Sequence, residues 1–298
     1  MSLDQWTHDV ERETIVVDNA SPDQDVDILR EEFKNITLIK SPQNLGFARA
    51  NNLGFQHSTG EYLLFLNPDT RLNSPAIHRM MERLESLQDA GVVGCRLLNA
   101  DLSVQTTCIQ TFPTILNQAL DAEALRSRWP NSRLWGIAPL FSSGGGPAAV
   151  EVISGACMLM RRNVFEKIGR FSEEYFMYGE DVDLCYKATR AGFCNYYIGD
   201  ATVIHYGGGS STPEGATVRK WQSIMRYCVK YNGRLYASTF ALVMSVVAVV
   251  RLLLLALRSL PRRDQRIERG RYSSSAKWSA ILRTLLSSFP YSKTHQES

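Results

Sequence analysis

The sequence lacks closely spaced cysteines. Its 298 residues include six cysteines, and none of them forms a Cys-x-x-Cys pair. A disulfide framework needs a small, cysteine-dense secreted scaffold, and a structural zinc site needs ligands a few residues apart. The sequence therefore favours neither, and we expect reduced, mostly buried thiols in a cytosolic chain. The cysteines are Cys95, Cys108, Cys157, Cys185, Cys194 and Cys228.

The sequence also lacks a strong net charge. The formal charge is +3 and the pI is about 8.5, which falls short of the strongly basic balance of a nucleic-acid-binding protein. Residues 258–271 are rich in arginine, but few aromatic side chains lie among them, so we expect no nucleic-acid partner. The opening residues, MSLDQWTHDVERE, are polar where a signal peptide would be apolar, and we expect no signal peptide.

Long apolar runs without a charge are missing as well. Residues 237–250 carry no charge, Arg251 follows, and a second apolar run comes next. The uninterrupted part is shorter than the roughly 18 to 20 residues of a spanning helix, so we do not predict a transmembrane segment. Farther on, apolar residues at helical spacing predict an amphipathic helix on a membrane surface, with packing on protein as the alternative. These residues are Trp278, Ile281, Leu282, Leu285, Leu286 and Phe289.

What the sequence does have is a large apolar fraction and an alternating pattern. With 44% hydrophobic residues the chain can bury a sizeable core. Up to about residue 100, β-branched apolar runs alternate with helical patterns, which predicts parallel strands joined by crossover helices. We expect two regions, a domain over residues 1–212 and a helical, membrane-associating region over residues 213–298.

Several local signals refine this pattern. Tyr62 to Leu66 is continuously apolar, which predicts a strand covered on both faces. Ser74 is the expected N-cap of the following helix, with Pro75 at its first position. The segment SSGGGPAA, residues 142–149, has the composition of a mobile surface loop. A helix that starts in YGED and ends in KATRAG has acids at its start and bases at its end, as the helix dipole favours.

Polar residues stand where predicted strands end or helices begin. They are Asp18, Asn67 with Asp69, Glu180 with Asp181, and His205. Each has an ordinary structural explanation, because such residues also make Asx-turns, helix caps and buried imidazoles. In open α/β sheets, however, ligands bind at the carboxyl ends of the strands. Together these residues therefore indicate a site.

Six motifs in this order and spacing resemble family 2 inverting glycosyltransferases, and in particular the bacterial rhamnosyltransferase-type branch that builds surface polysaccharide. The resemblance runs from about residue 13 to residue 211. It implies an α/β GT-A fold, Rossmann-like with a mostly parallel sheet and flanking helices, and C-terminal amphipathic or apolar helices after it. The motifs are IVVDNAS, NLGFARANN, FLNPDT, SGACMLMRR, FMYGEDVDLCYKATRAG and VIHYGGGSS.

The resemblance implies a nucleotide-diphosphate sugar as donor, dTDP-rhamnose first and UDP-sugars second, and a divalent cation, Mg²⁺ or Mn²⁺. Asp69 would be the metal-binding acid, and His205 would complete the metal shell or contact the diphosphate, with Gly207 to Gly209 beside it. Asn67 stands where the commonest pattern has a first acid, which leaves one carboxylate. That is compatible with a cation that takes most of its ligands from phosphates and water. The residues expected to bind the donor nucleotide are Asp18, Asn19, Asn44, Gly46 and Asn67.

The resemblance assigns the catalytic base to Asp181. Glu180 would orient the acceptor or tune the pKa of Asp181, and Gly155 and Ala156 would line the acceptor site. Asp183 lies about 200° round the helix from Asp181 and is expected to face elsewhere. With the base opposite the leaving group, one displacement inverts the anomeric centre.

The sequence departs from its relatives at the start, because it lacks their first strand and helix. Losing a central strand would leave exposed ladder edges there, unless another segment covers the gap. The leading hypothesis is a metal-dependent inverting transferase at the cytoplasmic face of the inner membrane, acting on a lipid-linked or polysaccharide acceptor. A catalytically impaired membrane-bound partner that retains the fold and a nucleotidyltransferase are the alternatives, and a homo-oligomer is left open.

Overall fold

The computed structural model describes residues 2–22, 26–33, 35–120, 146–207, 212–259 and 274–287. The described residues form two compact units. The first contains residues 2–112 and 146–207 of this set, and the second contains residues 113–120, 212–259 and 274–287.

A six-stranded sheet forms the centre of the first unit. Its strands are hydrogen-bonded in the order β3-β9-β5-β10-β4, and β7 also pairs with β10. The long strand β10 pairs with β5 in parallel and with β4 and β7 in antiparallel register. The strands are β3 Tyr62–Leu66, β4 Thr70–Leu72, β5 Ala90–Leu98, β7 Pro147–Val150, β9 Cys157–Arg161 and β10 Cys194–His205.

Two short sheets accompany it. β1, Thr14–Asp18, pairs with β2, Ile36–Lys40, in parallel, and β6, Ile109–Gln110, pairs with β8, Val152–Ile153, in antiparallel. Among the described residues β1 pairs only with β2, and β3 only with β9. Among these residues the sheet is therefore divided between β1 and β3.

Helices flank these strands and complete the first unit. The core lies between the main sheet and these helices, and it includes Phe65, Met80, Phe165 and Leu184. The helices are α1 Ser2–Trp6, α2 Val26–Glu32, α3 Gly46–Gln56, α4 Ala76–Ser86, α6 Arg162–Lys167 and α7 Glu180–Arg190. The six cysteines are free thiols, and all but Cys194 are buried, as the sequence predicts.

Sheet direction differs from the prediction. Among the described strands, antiparallel pairs outnumber the two parallel pairs, β1 with β2 and β5 with β10. The alternating pattern ends after β5, and β9 then enters between β3 and β5 in the opposite direction. Only Leu63 and Phe65 of the five β3 residues are buried, and they alternate with half-buried residues. One face of the strand is therefore covered more fully than the other, and the prediction of a strand covered on both faces is wrong.

Two local predictions also need correction. Pro75, not Ser74, is the N-cap of α4, and the Ser74 hydroxyl instead donates to the carbonyl of Thr202 at 3.1 Å. Pro147–Val150 forms strand β7, so the prediction of a surface loop is wrong for the second half of that segment. Residues 142–145 of that loop lie outside the described part of the chain.

The second unit contains three helical elements, α5 Ile115–Ala119, α8 Pro213–Ser259 and α9 Ser274–Ser287. α8 is broken at Gly233, where φ is 85° and ψ is 168°, a conformation that is essentially restricted to glycine. The rings of Trp221 and Phe240 lie 6.2 Å apart although the two residues are 19 positions apart in the sequence. An unbroken helix would hold them about 28 Å apart, so the two segments of α8 fold back on each other at Gly233.

The described C-terminal helices change two predictions. By length and composition, residues up to Leu257 of α8 are long and apolar enough to cross a membrane, so the sequence argument that the apolar run is too short does not hold. In α9, Trp278, Ile281 and Leu285 are buried, and the elements α8 and α9 pack against each other. Most of the apolar side of α9 therefore faces protein, which was the alternative, although Leu286 is 61% exposed. Phe289 lies outside the described residues.

Candidate active site

A tight turn after β3 presents Asp69. The Asn67 amide donates to the carbonyl of Ala156 at 3.0 Å, and the Asn67 carbonyl accepts from the amide and the hydroxyl of Thr70 at 3.2 and 2.6 Å. The Asp69 carbonyl accepts from the amide of Tyr206 at 2.9 Å. The backbone at Asp69 is thus attached to the end of β10, which carries His205.

Asp69 and His205 form a close pair. Their Oδ1 and Nε2 atoms lie 3.3 Å apart, and their side chains are 33% and 16% exposed. Two ligands of an octahedral Mg²⁺ ion, at about 2.1 Å each, are about 3 Å apart. The separation of the two donor atoms therefore fits adjacent positions on one divalent cation. Gly207 follows with φ +64°, while residues 208 and 209 lie outside the described residues.

The rest of such a coordination shell would come from elsewhere. Within the described residues, no group of three or more His, Cys, Asp or Glu side chains could hold a metal ion. Mg²⁺ commonly keeps several waters and binds through one or two carboxylates plus substrate phosphates. Asp69 and His205 fit this kind of site, because they supply two donors and leave the other positions to a diphosphate and water.

Asp181 lies in the first turn of α7. Its Oδ2 accepts from the amide of Gly155 at 3.2 Å, and its Oδ1 accepts from the amide of Val182 at 2.8 Å. Gly179 precedes the helix with φ 89°, which allows the sharp entry of the chain. The side chain is half-buried. Each carboxylate oxygen can accept more than one hydrogen bond, so these contacts orient Asp181 and are compatible with an incoming hydroxyl.

Glu180 is in a different environment, although it is the adjacent residue. It is 6% exposed, and its Oε2 atom has no hydrogen-bond partner among the described residues. Burial, with a smaller contribution from the charge of Asp181, raises the pKa of Glu180 to about 8. At neutral pH, Glu180 is therefore mostly a neutral carboxylic acid next to the carboxylate of Asp181.

We predict that Glu180 makes the protein less stable as the pH rises. Because its pKa is higher in the folded than in the unfolded chain, its stabilising contribution is complete below about pH 4.5 and is lost as the pH rises through about 8. The effect is on the order of 1.4 kcal/mol for each unit by which the pKa is raised. The variant Glu180→Gln should therefore become progressively more stable to heat than wild type as the pH rises from about 5 to about 9, which are roughly the limits of this titration.

Thermal unfolding at a series of pH values measures this difference, and Glu166→Gln, an exposed glutamate on α6, is the matched control. Parallel melting curves for wild type and Glu180→Gln at all pH values would contradict the prediction.

Asp183 faces away from this site, as the sequence predicts. It is completely buried and accepts from the Ser172 hydroxyl at 2.6 Å, with the Lys187 ammonium 3.5 Å away. A buried carboxylate with such partners holds the preceding loop onto α7.

The residues expected at the nucleotide lie around the loop between β2 and α3. Asn19 accepts from the amide of Leu45 at 2.7 Å and donates to Asn44 Oδ1 at 3.0 Å, which in turn accepts from the amide of Gly46. The Oδ1 atom of Asp18 accepts from the amide of Ser21, three residues on, at 3.0 Å. The structure therefore brings these polar residues together at the carboxyl ends of β1 and β2.

Aromatic residues that the sequence did not single out connect this loop to Asp181. The Phe47 amide donates to the carbonyl of Phe176 at 2.7 Å, and a Cβ at Gly46 would lie 2.3 Å from that carbonyl oxygen. Only glycine allows this approach. A Cβ at Gly155 would lie 3.6 Å from both the Phe47 ring and the Cβ of Asp181. The phenylalanines in NLGF and EEYF were visible in the sequence, but their contact was not.

Gly155 and Ala156 join the two halves of the site. The Gly155 amide holds Asp181, while the Ala156 carbonyl holds Asn67, two residues before Asp69. The sequence assigned both residues to the acceptor. In the structure their backbones bind Asp181, the candidate base, and the turn that presents Asp69, the candidate metal ligand.

Comparisons with known proteins identify the family of this chain. Residues 3–169, more than half of the chain, match the family described as "Glycosyl transferase family 2". The chain belongs to glycosyl transferase family 2. Its fold is GT-A, with a central mixed sheet and flanking helices, so the family and the fold implied by the motifs are confirmed.

Among the relatives of this family 2 chain is the N-acetylglucosaminyl-diphospho-decaprenol L-rhamnosyltransferase of Mycobacterium tuberculosis (strain H37Rv), 28% identical over 64% of the chain and 66% of that protein. The alignment thus spans just under two thirds of the relative. The rhamnosyltransferase WbbL of Escherichia coli K12 is 24% identical over 62% of the chain and 70% of that protein. A Pyrobaculum calidifontis mannosyltransferase, solved with GDP-Man and Mn²⁺, is 15% identical with a TM-score of 0.52, covering 92% of the chain and 75% of its own.

Proposed function

We propose that the chain is an inverting, divalent-cation-dependent glycosyltransferase. It moves a sugar, rhamnose as first candidate, from a nucleotide-diphosphate donor to a glycan or lipid-linked acceptor in cell-surface polysaccharide synthesis. One observation carries the proposal: the backbone of the Gly155-Ala156 pair holds Asp181 on one side and the turn that presents Asp69 on the other. Similarity to two rhamnosyltransferases supports the choice of sugar.

The proposed reaction is a single displacement. The acceptor hydroxyl oxygen attacks the anomeric carbon, its proton moves to the carboxylate of Asp181, and the bond from that carbon to the diphosphate oxygen breaks with its electron pair on the oxygen. A base within hydrogen-bond reach of the attacking hydroxyl promotes such a step. Asp181 suits this role better than Glu180, because Asp181 is half-buried and reachable whereas Glu180 is buried and largely protonated.

The leaving diphosphate is proposed to lie at Asp69 and His205. A divalent cation held there would neutralise the charge that develops on the phosphate oxygens. Asp69 and His205 would hold Mg²⁺ or Mn²⁺, and the turn from Asn67 to Thr70 fixes the direction of the Asp69 carboxylate. Asp18, Asn19, Asn44, Gly46 and Asn67 would bind the nucleotide.

Slow donor hydrolysis tests this proposal without a known acceptor. The purified chain is incubated with dTDP-rhamnose or a UDP-sugar, with and without Mn²⁺, and nucleotide release and the anomeric form of the freed sugar are measured. Mn²⁺-dependent release with inverted anomeric configuration supports the proposal. If the chain neither hydrolysed nor bound either donor, that result would favour the non-catalytic partner. The division between β1 and β3 would give a reason for the loss of activity.

We also propose that the second unit lies on the cytoplasmic face of the membrane, in contact with lipid. Six exposed apolar residues form a stripe on α8, the apolar stripe. They fall within an arc of about 80° around the helix and extend about 33 Å along its axis. Leu235, Leu242 and Leu257 are 83%, 65% and 63% exposed. The six residues are Leu235, Leu242, Val246, Val250, Leu253 and Leu257.

Charge favours lipid over a second copy of the chain as the occupant of this stripe. Residues 213–298 contain fifteen Lys and Arg against four Asp and Glu, a formal +11, while residues 1–212 carry a formal −8. Two copies facing each other through these regions would bring like charges together. An anionic membrane surface attracts such a segment by about 1 kcal/mol for each basic residue near it.

The fold of α8 favours a position on the membrane surface over a span. The segment before Gly233 folds back along the apolar segment and contains Arg219, Lys220, Arg226 and Lys230. In a spanning arrangement these cations would lie at membrane depth, at a cost of about 3 kcal/mol each near the centre. Arg251 does not oppose surface binding, because its guanidinium lies 4.4 Å from the Trp278 ring centroid and donates to the carbonyl of Ala119 at 3.2 Å.

We predict that replacing two leucines of the stripe weakens lipid binding at least tenfold. The double variant Leu242→Asn/Leu253→Asn removes two side chains, each worth about 1.5 to 3 kcal/mol when fully buried, against about 1.4 kcal/mol per tenfold change. Co-sedimentation with vesicles of phosphatidylcholine and phosphatidylglycerol measures it. Leu102→Asn, an equally exposed leucine at φ 65°, is the matched control.

Equal binding of wild type and the double variant would overturn the lipid assignment of the stripe. So would a dimer in lipid-free solution that the double variant dissociates, because that result would assign the stripe to a second copy.

A further inference from the structure

A chain of side-chain hydrogen bonds runs from the protein surface to His205. Ser103 Oγ lies 2.5 Å from Asp101 Oδ1, Asn99 Nδ2 lies 2.9 Å from Ser103 Oγ, and Gln105 Nε2 lies 3.1 Å from Asn99 Oδ1. Gln105 Oε1 lies 2.7 Å from His205 Nδ1. The segment 99–105 is otherwise unassigned, and it follows the last residue of β5.

The carboxylate at the surface end gives this chain one direction. The hydroxyl of Ser103, and after it the Ser103 amide, hold the pKa of Asp101 below its usual range, so Asp101 only accepts hydrogen bonds. Ser103 must therefore donate its hydroxyl to Asp101 and accept from the amide group of Asn99. Asn99 then turns its oxygen towards Gln105, which donates from Nε2 and turns its own oxygen, Oε1, towards His205.

The orientation of Gln105 has independent support at its own amide. Its Nε2 also lies 3.4 Å from the carbonyl oxygen of His205, so both atoms near Nε2 are acceptors. A flipped amide would place oxygen against these two acceptors. Oε1 is therefore the atom that faces His205, and an oxygen there accepts a hydrogen bond.

The imidazole consequently donates from Nδ1. In an imidazole with a single N–H, the other nitrogen, Nε2, then presents its lone pair, and this lone pair points at the carboxylate of Asp69 3.3 Å away. Two acceptors at this distance repel each other unless something positive lies between them. This is the arrangement that a metal-ligating histidine takes when its second nitrogen donates to a protein oxygen.

We propose that Gln105 is a positioning residue that fixes the Nδ1–H form of His205, so that Nε2 and Asp69 can share a divalent cation. This inference rests on the proposed metal site. The segment 99–105, which carries this hydrogen-bonded network, is rigid enough to do so, because backbone hydrogen bonds anchor both ends of the segment. The Asn99 amide donates to the carbonyl of Ser103 at 2.8 Å, and the Gln105 amide donates to the carbonyl of Leu97 at 2.8 Å.

Two variants of Gln105 separate this role from a packing role. Gln105→Glu keeps an oxygen acceptor opposite Nδ1, whereas Gln105→Leu removes it at similar size. With ¹⁵N-labelled histidine, long-range ¹H–¹⁵N spectra identify which nitrogen of His205 carries the proton. Isothermal titration with MnCl₂ alone gives the metal affinity, and thermal melting checks the fold.

In wild type and Gln105→Glu we expect the proton of His205 on Nδ1. In Gln105→Leu we expect a population with the proton on Nε2 and about 10- to 100-fold weaker Mn²⁺ binding, the usual cost of losing such a partner. A wild-type proton on Nε2, or an unchanged Nδ1–H form in Gln105→Leu, would overturn the inference.

Asp69→Asn distinguishes this inference from the metal site itself. It should lose Mn²⁺ binding and keep the Nδ1–H form of His205, because the hydrogen bond to Gln105 remains. If wild type bound no Mn²⁺ while the spectra showed the expected forms, the metal site would fail and the role of Gln105 in setting the proton position would stand.

Discussion

Asp181→Asn is expected to lower the rate of sugar transfer, or of donor hydrolysis, by about 10²- to 10⁴-fold, the usual contribution of a general base. Asparagine has nearly the same size and can still accept from the amide of Gly155, but its amide group cannot take a proton from the attacking hydroxyl. The fold and donor affinity should therefore change little, and the loss should appear in kcat.

The comparison with neighbouring acids sharpens this test. Glu180→Gln should cost less activity, because Glu180 is already largely protonated at neutral pH. Asp27→Asn, on the exposed ion pair with Lys40, is the control for a change of charge alone. If Glu180→Gln abolished turnover and Asp181→Asn did not, the roles of the two acids would have to be exchanged.

The parts of the site that sequence reasoning predicted are those with a local signal. Asp69 follows an apolar strand and a proline, and Asp181 stands in the acidic first turn of a helix whose last turn is basic. Such signals depend on residues close in sequence. In the structure, Asp69 follows its strand and Asp181 lies in the first turn of its helix, as expected. The resemblance to a family then supplied the roles that no local pattern could give.

The parts that escaped prediction depend on long-range contacts. Gln105 is 100 residues from His205 in sequence, and nothing in SVQTTC marks it as a partner. The direction of β9 depends on the insertion of a strand between β3 and β5, which alternation of strands and helices does not reveal. Helical periodicity correctly predicted that α9 is amphipathic. It did not say that α8 would cover its apolar face.

Asp69→Asn is expected to remove the effect of Mn²⁺ on nucleotide binding. Wild type should bind dTDP or UDP about 10²- to 10³-fold more tightly with Mn²⁺ than without it, an effect of the size found for single electrostatic groups in active sites. The variant keeps the volume of the side chain and loses the charge, so its affinity should be the same with and without the ion and should equal that of wild type without Mn²⁺. Calorimetric titration measures all four affinities.

A second Asp–His pair in the same chain provides the matched control. His78 Nε2 lies 2.9 Å from Asp9 Oδ2, and the two side chains are 30% and 58% exposed. Asp9→Asn breaks that pair with the same change of charge and should leave the Mn²⁺-dependent affinity intact. If Asp69→Asn bound nucleotide with the wild-type response to Mn²⁺, the cation would have to bind elsewhere. The 3.3 Å approach of Asp69 to His205 would then play no part in binding the cation.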